Sequence, residues 1–225
     1  MTITAAAGSA KTRTDKCDPR IAITKSLLGY GILAMPFYVI VSVIEGATRA
    51  GFDFTTHDWS LLANGHLGWI HIANLVLTGL MTVAFAIGLG RSTGSAWTGR
   101  LVTLYGIGLI GAGVLIADPA NGFPAGTADG AGAISWHGAG HMVSAAIGFA
   151  GLIAACFVLA RHYSRRGDRG WAWFARTTGA VFALSFLGIA GSGGAAASVL
   201  AFTAAVLLVT VWSAATAVRE YRRAH

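Results

Sequence analysis

Charge is what this sequence has least of. Only 11% of its 225 residues are Asp, Glu, Lys or Arg, against roughly 25% in a soluble domain. So few charges cannot cover a water-exposed surface of this size, which excludes a soluble enzyme or regulatory domain. Cysteine is nearly missing as well. Cys17 lies in a polar N-terminal segment and Cys156 in an apolar run, so no disulfide framework exists and Cys156 reads as a small buried apolar residue. Acids are scarcer than bases, nine against sixteen. That surplus does not indicate a nucleic-acid partner. The basic residues fall in short clusters between apolar runs, and no aromatic-basic platform accompanies them. A signal peptide is missing too: the first apolar stretch is too long, and no small-residue cleavage site closes it.

What is present is apolar sequence in long runs, 55% of the chain overall. About 20 residues of helix cross the ~30 Å of hydrocarbon in a bilayer. Six stretches qualify: Ser26–Ile44, with Pro36 bending it, then Trp69–Leu89, Leu101–Ala117, His141–Ala160, Ala172–Ala190 and Ala195–Val218. The last two are joined only by Gly191, Ser192, Gly193 and Gly194, a tight helical hairpin. Gly106, Gly108, Gly111 and Gly113 crowd the third stretch. In lipid such residues let helices pack closely, so this helix is expected at the centre of the bundle. The fold class is therefore an all-α membrane protein, a bundle of about six transmembrane helices.

Lys and Arg decide the orientation. Fifteen of the sixteen fall at the N-terminus, in the second and fourth loops and in the tail; only Arg49 lies on the other face. Both termini are therefore expected in the cytoplasm. The organisation that follows is a disordered cytoplasmic segment over 1–21, a transmembrane domain over 22–218 and a basic cytoplasmic tail over 219–225.

The opposite face is where polar chemistry gathers. Five of the seven histidines lie there, His57, His66, His71, His137 and His141, with five of the nine acids, Glu45, Asp53, Asp58, Asp118 and Asp129. Asp53, Asp58 and Asp129 have a bland reading as solvated loop residues, and Asp58 as the cap of a short interfacial helix through Trp59, Leu61 and Leu62. Glu45, His71, Asp118, His137 and His141 sit at helix ends at one depth. Ionisable groups at that level are costly unless paired or facing a cavity, so they are candidates for function. His137 and His141 are spaced to share one face of a helix, as two metal ligands would, with Asp118, His71 or Glu45 as the third; zinc is the metal this suggests. A bis-histidine haem between His71 and His141 is a further arrangement. Arg49 is either an exposed i,i+4 partner of Glu45 or a bidentate clamp for a carboxylate or phosphate. The segment from Asp118 through Asn121, Gly122 and Phe123 to Pro124 is compact turn chemistry, a lid or a shape-holding loop.

These residues carry a resemblance. Glu45-Gly46 with Thr48-Arg49 and Gly51-Phe52-Asp53, His57 with Ser60, and Gly68-Trp69-Ile70 resemble the first-half motifs of a bacterial membrane protein family, domain of unknown function 998. Ala117-Asp118-Pro119, Gly122-Phe123-Pro124 and His137-Gly138 with His141 extend the likeness, which covers about Leu27 to Trp173. It implies a six-helix bundle in the bacterial cytoplasmic membrane and supplies no substrate.

Three functions are open on these residues. One is a pocket facing outward that binds a lipid or small amphiphile, with Arg49, Asp53, His57, Trp69 and His71 as ligand-binding residues. Another is an enzyme at the outer leaflet using Glu45, Asp118, His137 and His141, as a metal-dependent lipid hydrolase or an acid–base catalyst such as an isoprenoid cyclase. A transporter is the third. Few charges lie in the inner halves of the later helices, which argues against a continuous polar path.

Overall fold

The computed structural model describes residues 18–130 and 132–224. Most of the expected disordered lead-in, with Lys11, Arg13, Lys16 and Cys17, lies outside them. The described residues form six α-helices, α1 Pro19–Thr48, α2 Gly68–Thr93, α3 Ala96–Val114, α4 Trp136–Arg165, α5 Arg169–Ser192 and α6 Ala196–Arg223, with one 3-10 turn at Trp59–Ala63. No strand occurs among the described residues.

The helix ends follow from local chemistry. Helix α1 starts earlier than the apolar run because the Asp18 side chain accepts the Arg20 N–H at 2.8 Å and Pro19 occupies the first helical position, where its missing N–H costs nothing. Helix α4 starts at Trp136, so both His137 and His141 lie on it; Ser135 caps it by accepting from Gly138 N–H at 3.1 Å. Between α5 and α6 the chain turns on Gly193 and Gly194, with φ of 61° and 90°, a left-handed conformation that suits glycine.

Each helix packs against its neighbours in the chain, and α6 packs back on α1, so the six close into a ring in sequence order. Helix α3 does not take the central position expected of it; it is one member of the ring, between α2 and α4, with Ile107 and Val114 exposed on its outer side, and its glycines set two close seams instead. A Cβ on Gly106 would stand 2.8 Å from the Gly79 carbonyl oxygen of α2, and one on Gly108 only 2.5 Å from the Gly148 Cα of α4. Only hydrogen fits at such contacts.

Five of the six helices are long and apolar enough to cross a membrane by length and composition. Helix α3 is the exception to the expected six. It has 19 residues, and its glycines and Arg100 lower its hydropathy. It nonetheless lies antiparallel to α2 from Gly99 beside Ala86, through Gly106 beside Gly79, to Gly113 beside Ile72, so it covers the same layer as α2. Leucine, isoleucine and valine face outward around the ring, including Leu33, Ile40, Leu80, Ile107, Leu184 and Val211. Such an exterior suits lipid, not water. Four exposed tryptophans mark its edges. Trp69 and Trp136, 64% and 72% exposed, begin α2 and α4 on one side, and Trp97 and Trp173, 64% and 63% exposed, begin α3 and α5 on the other. Aromatic belts of this kind sit at the two membrane interfaces. The protein is a multi-pass membrane protein.

The half of the ring nearer the chain ends is filled by Leu28, Phe85, Leu89, Leu159, Tyr163 and Trp212. A smaller core of Trp59, Leu61, Leu62 and Phe123 closes the other end.

Candidate functional site

Two long connections cover the far end of the ring: residues 49–67 between α1 and α2, and residues 115–135 between α3 and α4. Polar side chains stitch them together. Asp53 N–H donates to His57 Nδ1 at 2.9 Å. That nitrogen is therefore the acceptor, and Nε2 carries the proton it donates to the Asn121 carbonyl at 2.8 Å. The His57 ring also packs on Phe52 and Phe123 at 5.4 and 5.5 Å. Asn64 Nδ2 donates to the Leu61 and Ala117 carbonyls, both at 3.1 Å. Asp53 remains exposed and closes its own turn: the Thr55 N–H and hydroxyl hold its carboxyl below the usual range.

Arg49 does not pair with Glu45. Its guanidinium donates to the Leu62 carbonyl at 3.2 Å and to the Asn64 carbonyl, and lies 5.4 Å from the Phe123 ring centre. It satisfies the open end of the 3-10 turn, where carbonyls otherwise lack partners. Asp118 likewise serves the loop base. It accepts from the Ser135 hydroxyl at 2.6 Å and the Ser135 N–H at 2.7 Å, and these bonds hold its carboxyl well below the usual range. It lies so close to α4 that a Cβ on Gly138 would meet its Oδ2 at 2.0 Å.

His141 reaches across to α3. Its Nδ1 lies 2.9 Å from the Ala112 carbonyl and 3.0 Å from the Leu115 carbonyl. Both are acceptors, so Nδ1 carries a proton and, in the neutral ring, Nε2 keeps a lone pair. A histidine on α4 thus terminates α3, which explains why that helix ends at Val114 before reaching Pro119.

Behind this layer, Glu45 and His71 form a buried pair across α1 and α2, Nδ1 to Oε2 at 2.9 Å, with 5% and 0% exposure. Their other polar atoms, Glu45 Oε1 and His71 Nε2, are buried without a hydrogen-bond partner among the described residues, as are Asp58 Oδ1 and Trp59 Nε1. Asp58 makes no capping bond to the 3-10 turn it precedes, contrary to the capping role expected of it, and burial pushes its carboxyl up against the opposing pull of His57.

A cavity of about 700 Å³ opens beneath the stitched loops. Phe149, Phe182, Phe186 and Phe202 from α4, α5 and α6 line its body, and Tyr38, Asp58, Trp59, Asn121 and His141 form its polar end. Sequence reasoning missed its aromatic wall, since four phenylalanines on three helices look like ordinary core. Of the residues expected to catalyse, bind ligand or hold metal, His141 and Asp118 line the cavity, whereas Glu45, Arg49, Asp53, His57, Trp69, His71 and His137 do not. Trp69 is exposed on the outer rim. His137 is half-buried against Trp136. Among the described residues no three His, Cys, Asp or Glu side chains are grouped to hold a metal ion; in the His137, His141 and Asp118 set, the bonds of Asp118 go to Ser135 and those of His141 to two carbonyls. His71 lines no part of the cavity wall; its Nδ1 is engaged by Glu45 and that of His141 by two carbonyls.

The chain-end face holds a network the sequence did not announce. Glu220, buried on α6, accepts from the Ser92 hydroxyl at 2.6 Å and the Tyr163 hydroxyl at 3.2 Å. Arg219 stacks 4.9 Å from Tyr163 and 4.6 Å from Trp171 and pairs with Asp168.

The family model for Protein of unknown function (DUF998) matches residues 32–219, well past the stretch to Trp173 on which the resemblance was read, and the chain belongs to that family. No curated protein and no solved structure matches it.

Proposed function

We propose that this DUF998 member binds a lipid or similar amphiphile in the cavity beneath its stitched loops. One observation carries the reading: the cavity is apolar along its body and polar at one end. Its volume of about 700 Å³ falls within the ~300–1,000 Å³ typical of ligand pockets. An acyl or isoprenoid chain would lie against Phe149, Phe182, Phe186 and Phe202. A hydrogen-bonding head would meet Asp58 Oδ1 and Trp59 Nε1, both short of partners. A buried acceptor and donor left open cost about 1–3 kcal/mol each, and a head with both an O–H and an acceptor oxygen removes both costs.

The distribution of Lys and Arg supports an orientation with chain ends in the cytoplasm. The cavity then opens towards the outer leaflet of the cytoplasmic membrane. The test is lipid retained through purification in mild detergent and identified by mass spectrometry. Ala146→Trp fills the cavity from α4, whereas Ala150→Trp places the same ring on the exposed side of that helix. Wild type and Ala150→Trp should retain one amphiphile class and Ala146→Trp should lose it. Equal retention in all three sinks the proposal.

One observation favours a second reading, acid–base chemistry on the bound amphiphile. His141 lines the cavity with its Nδ1 proton held by two carbonyls, which leaves Nε2 as a base fixed in orientation. His141→Gln keeps a donor for those carbonyls and removes the base. The reading requires a lipid product that forms with wild type and not with His141→Gln; identical lipid profiles refute it.

A further inference from the structure

At the chain-end face, across the membrane from the cavity, a second pocket of about 280 Å³ lies between α1, α2, α4 and α6. Arg20, Arg91, Arg166 and Arg223 line it, together with His162 and Glu220. Four cations brought into one small concavity by four separate segments repel one another, and the nearby acids neutralise only one of them, Arg223. Asp168 is taken by Arg219 and by Arg223, the latter at 3.3 Å. Glu220 is the one carboxylate in the wall, and its two oxygens accept from Ser92 and Tyr163. The guanidinium groups of Arg20, Arg91 and Arg166 have neither an acidic nor a hydrogen-bonding partner among the described residues.

The geometry points to an anion site for a phosphate group, carried by a phospholipid headgroup or by a soluble phosphate compound. Guanidinium forks match phosphate oxygens in pairs, which is chemistry a loop of scattered topology-setting arginines does not need. The pocket is too small for an acyl chain beside a headgroup, and it lies at helix ends, in the layer where headgroups sit. Basic pockets between helices on this side of a membrane bind anionic headgroups by the same means. Glu220 is buried, each of its oxygens accepts a hydroxyl, and Oε1 lies 3.8 Å from Arg219 Nε, so its charge is directed into the bundle and leaves the three unpaired arginines in excess. This site is independent of the cavity: no residue lines both.

The experiment compares the full chain with Arg91→Gln/Arg166→Gln and with Arg161→Gln/Arg165→Gln, which removes the same charge from exposed positions outside the pocket. In one arm the detergent-purified protein is melted against inorganic phosphate, with chloride matched in ionic strength. In the other it is reconstituted with phosphatidylcholine and phosphatidylglycerol, re-extracted, and the retained phospholipid is measured by native mass spectrometry. Selective retention of phosphatidylglycerol by wild type and the exposed-pair variant, reduced about tenfold or more in the pocket variant, assigns a headgroup. A phosphate-dependent rise in melting temperature lost only in the pocket variant assigns a soluble phosphate. No selectivity in either arm, or an equal loss in both double variants, overturns the site. Should the pocket variant fail to fold, Arg91→Lys replaces it. That variant keeps the charge and loses the fork, so it should weaken whichever response wild type shows; an undiminished response overturns the site equally.

Discussion

Gly108→Ala tests the packing on which both ends of the ring depend. A methyl group there would stand 2.5 Å from Gly148 Cα, 2.8 Å from the Ser144 carbonyl oxygen and 3.0 Å from Gly148 N. Carbon atoms rest at about 3.5–4.0 Å, so α3 and α4 must separate by about 1 Å. All three neighbours are backbone, and no side-chain rotation relieves the contact. Overpacking of this kind costs about 1–3 kcal/mol. Gly188→Ala on α5 adds the same methyl where nothing lies within 4 Å, and it gains the helix propensity of alanine, up to ~1 kcal/mol. The two single-methyl variants should therefore differ by about 2 kcal/mol, roughly thirtyfold in the unfolding equilibrium. Unfolding by SDS in mixed micelles, followed by far-ultraviolet circular dichroism, measures the difference. The spacing also sets the reach of His141 to Ala112 and Leu115, so Gly108→Ala should lose retained amphiphile while Gly188→Ala keeps it. Coincident unfolding midpoints would refute the close-packed α3–α4 seam.

Two further outcomes follow from the loops. Ser135 depresses the Asp118 carboxyl, so that contact adds stability that is present in full above the unfolded value of ~3.9 and is lost as pH falls through the lower folded value. Limited proteolysis should find the 115–135 loop protected at neutral pH and cleaved in acid, and Ser135→Ala cleaved at both; a wild-type loop still protected at the acid limit contradicts this. A reporter fused after Ala128 should read as external, and a cytoplasmic signal there would reverse the proposed orientation.

How much of this was legible in the sequence depends on which property is asked about. The helices were legible because hydrocarbon demands long apolar runs, and the close packing of α3 on its neighbours because small residues in such a run let helices approach; its place in the ring instead of the centre was not. Helix ends were less so. Helix α3 stops where His141 donates to its carbonyls, a contact 29 residues away in sequence, and no local pattern encodes it. The family resemblance was legible from short motifs around Arg49, Asp118 and His141, and the family match extends beyond them. The cavity wall was not: an aromatic that lines an open space and one that fills a core have the same period on a helix.

The polar residues at the loop end show why residue type alone misplaces a site. In water Arg49, His57, Asp118 and His141 would have many partners available. Where the backbone leaves the helix at the membrane boundary, its open carbonyls and N–H groups have few, and these four side chains satisfy them. Their polarity is thus largely structural, and it builds the roof of the cavity instead of its floor. What distinguishes a candidate contact is the atom left over after that satisfaction: Nε2 of His141, Oδ1 of Asp58 and Nε1 of Trp59. The same subtraction at the opposite face leaves Arg20, Arg91 and Arg166 after Asp168 and Glu220 have been matched. One end of the ring is left with open hydrogen-bonding atoms beside an apolar cavity, and the other with unneutralised positive charge in a pocket of headgroup size. A protein that only filled the bilayer would need neither, and that is the physical reason to seek a different ligand at each face.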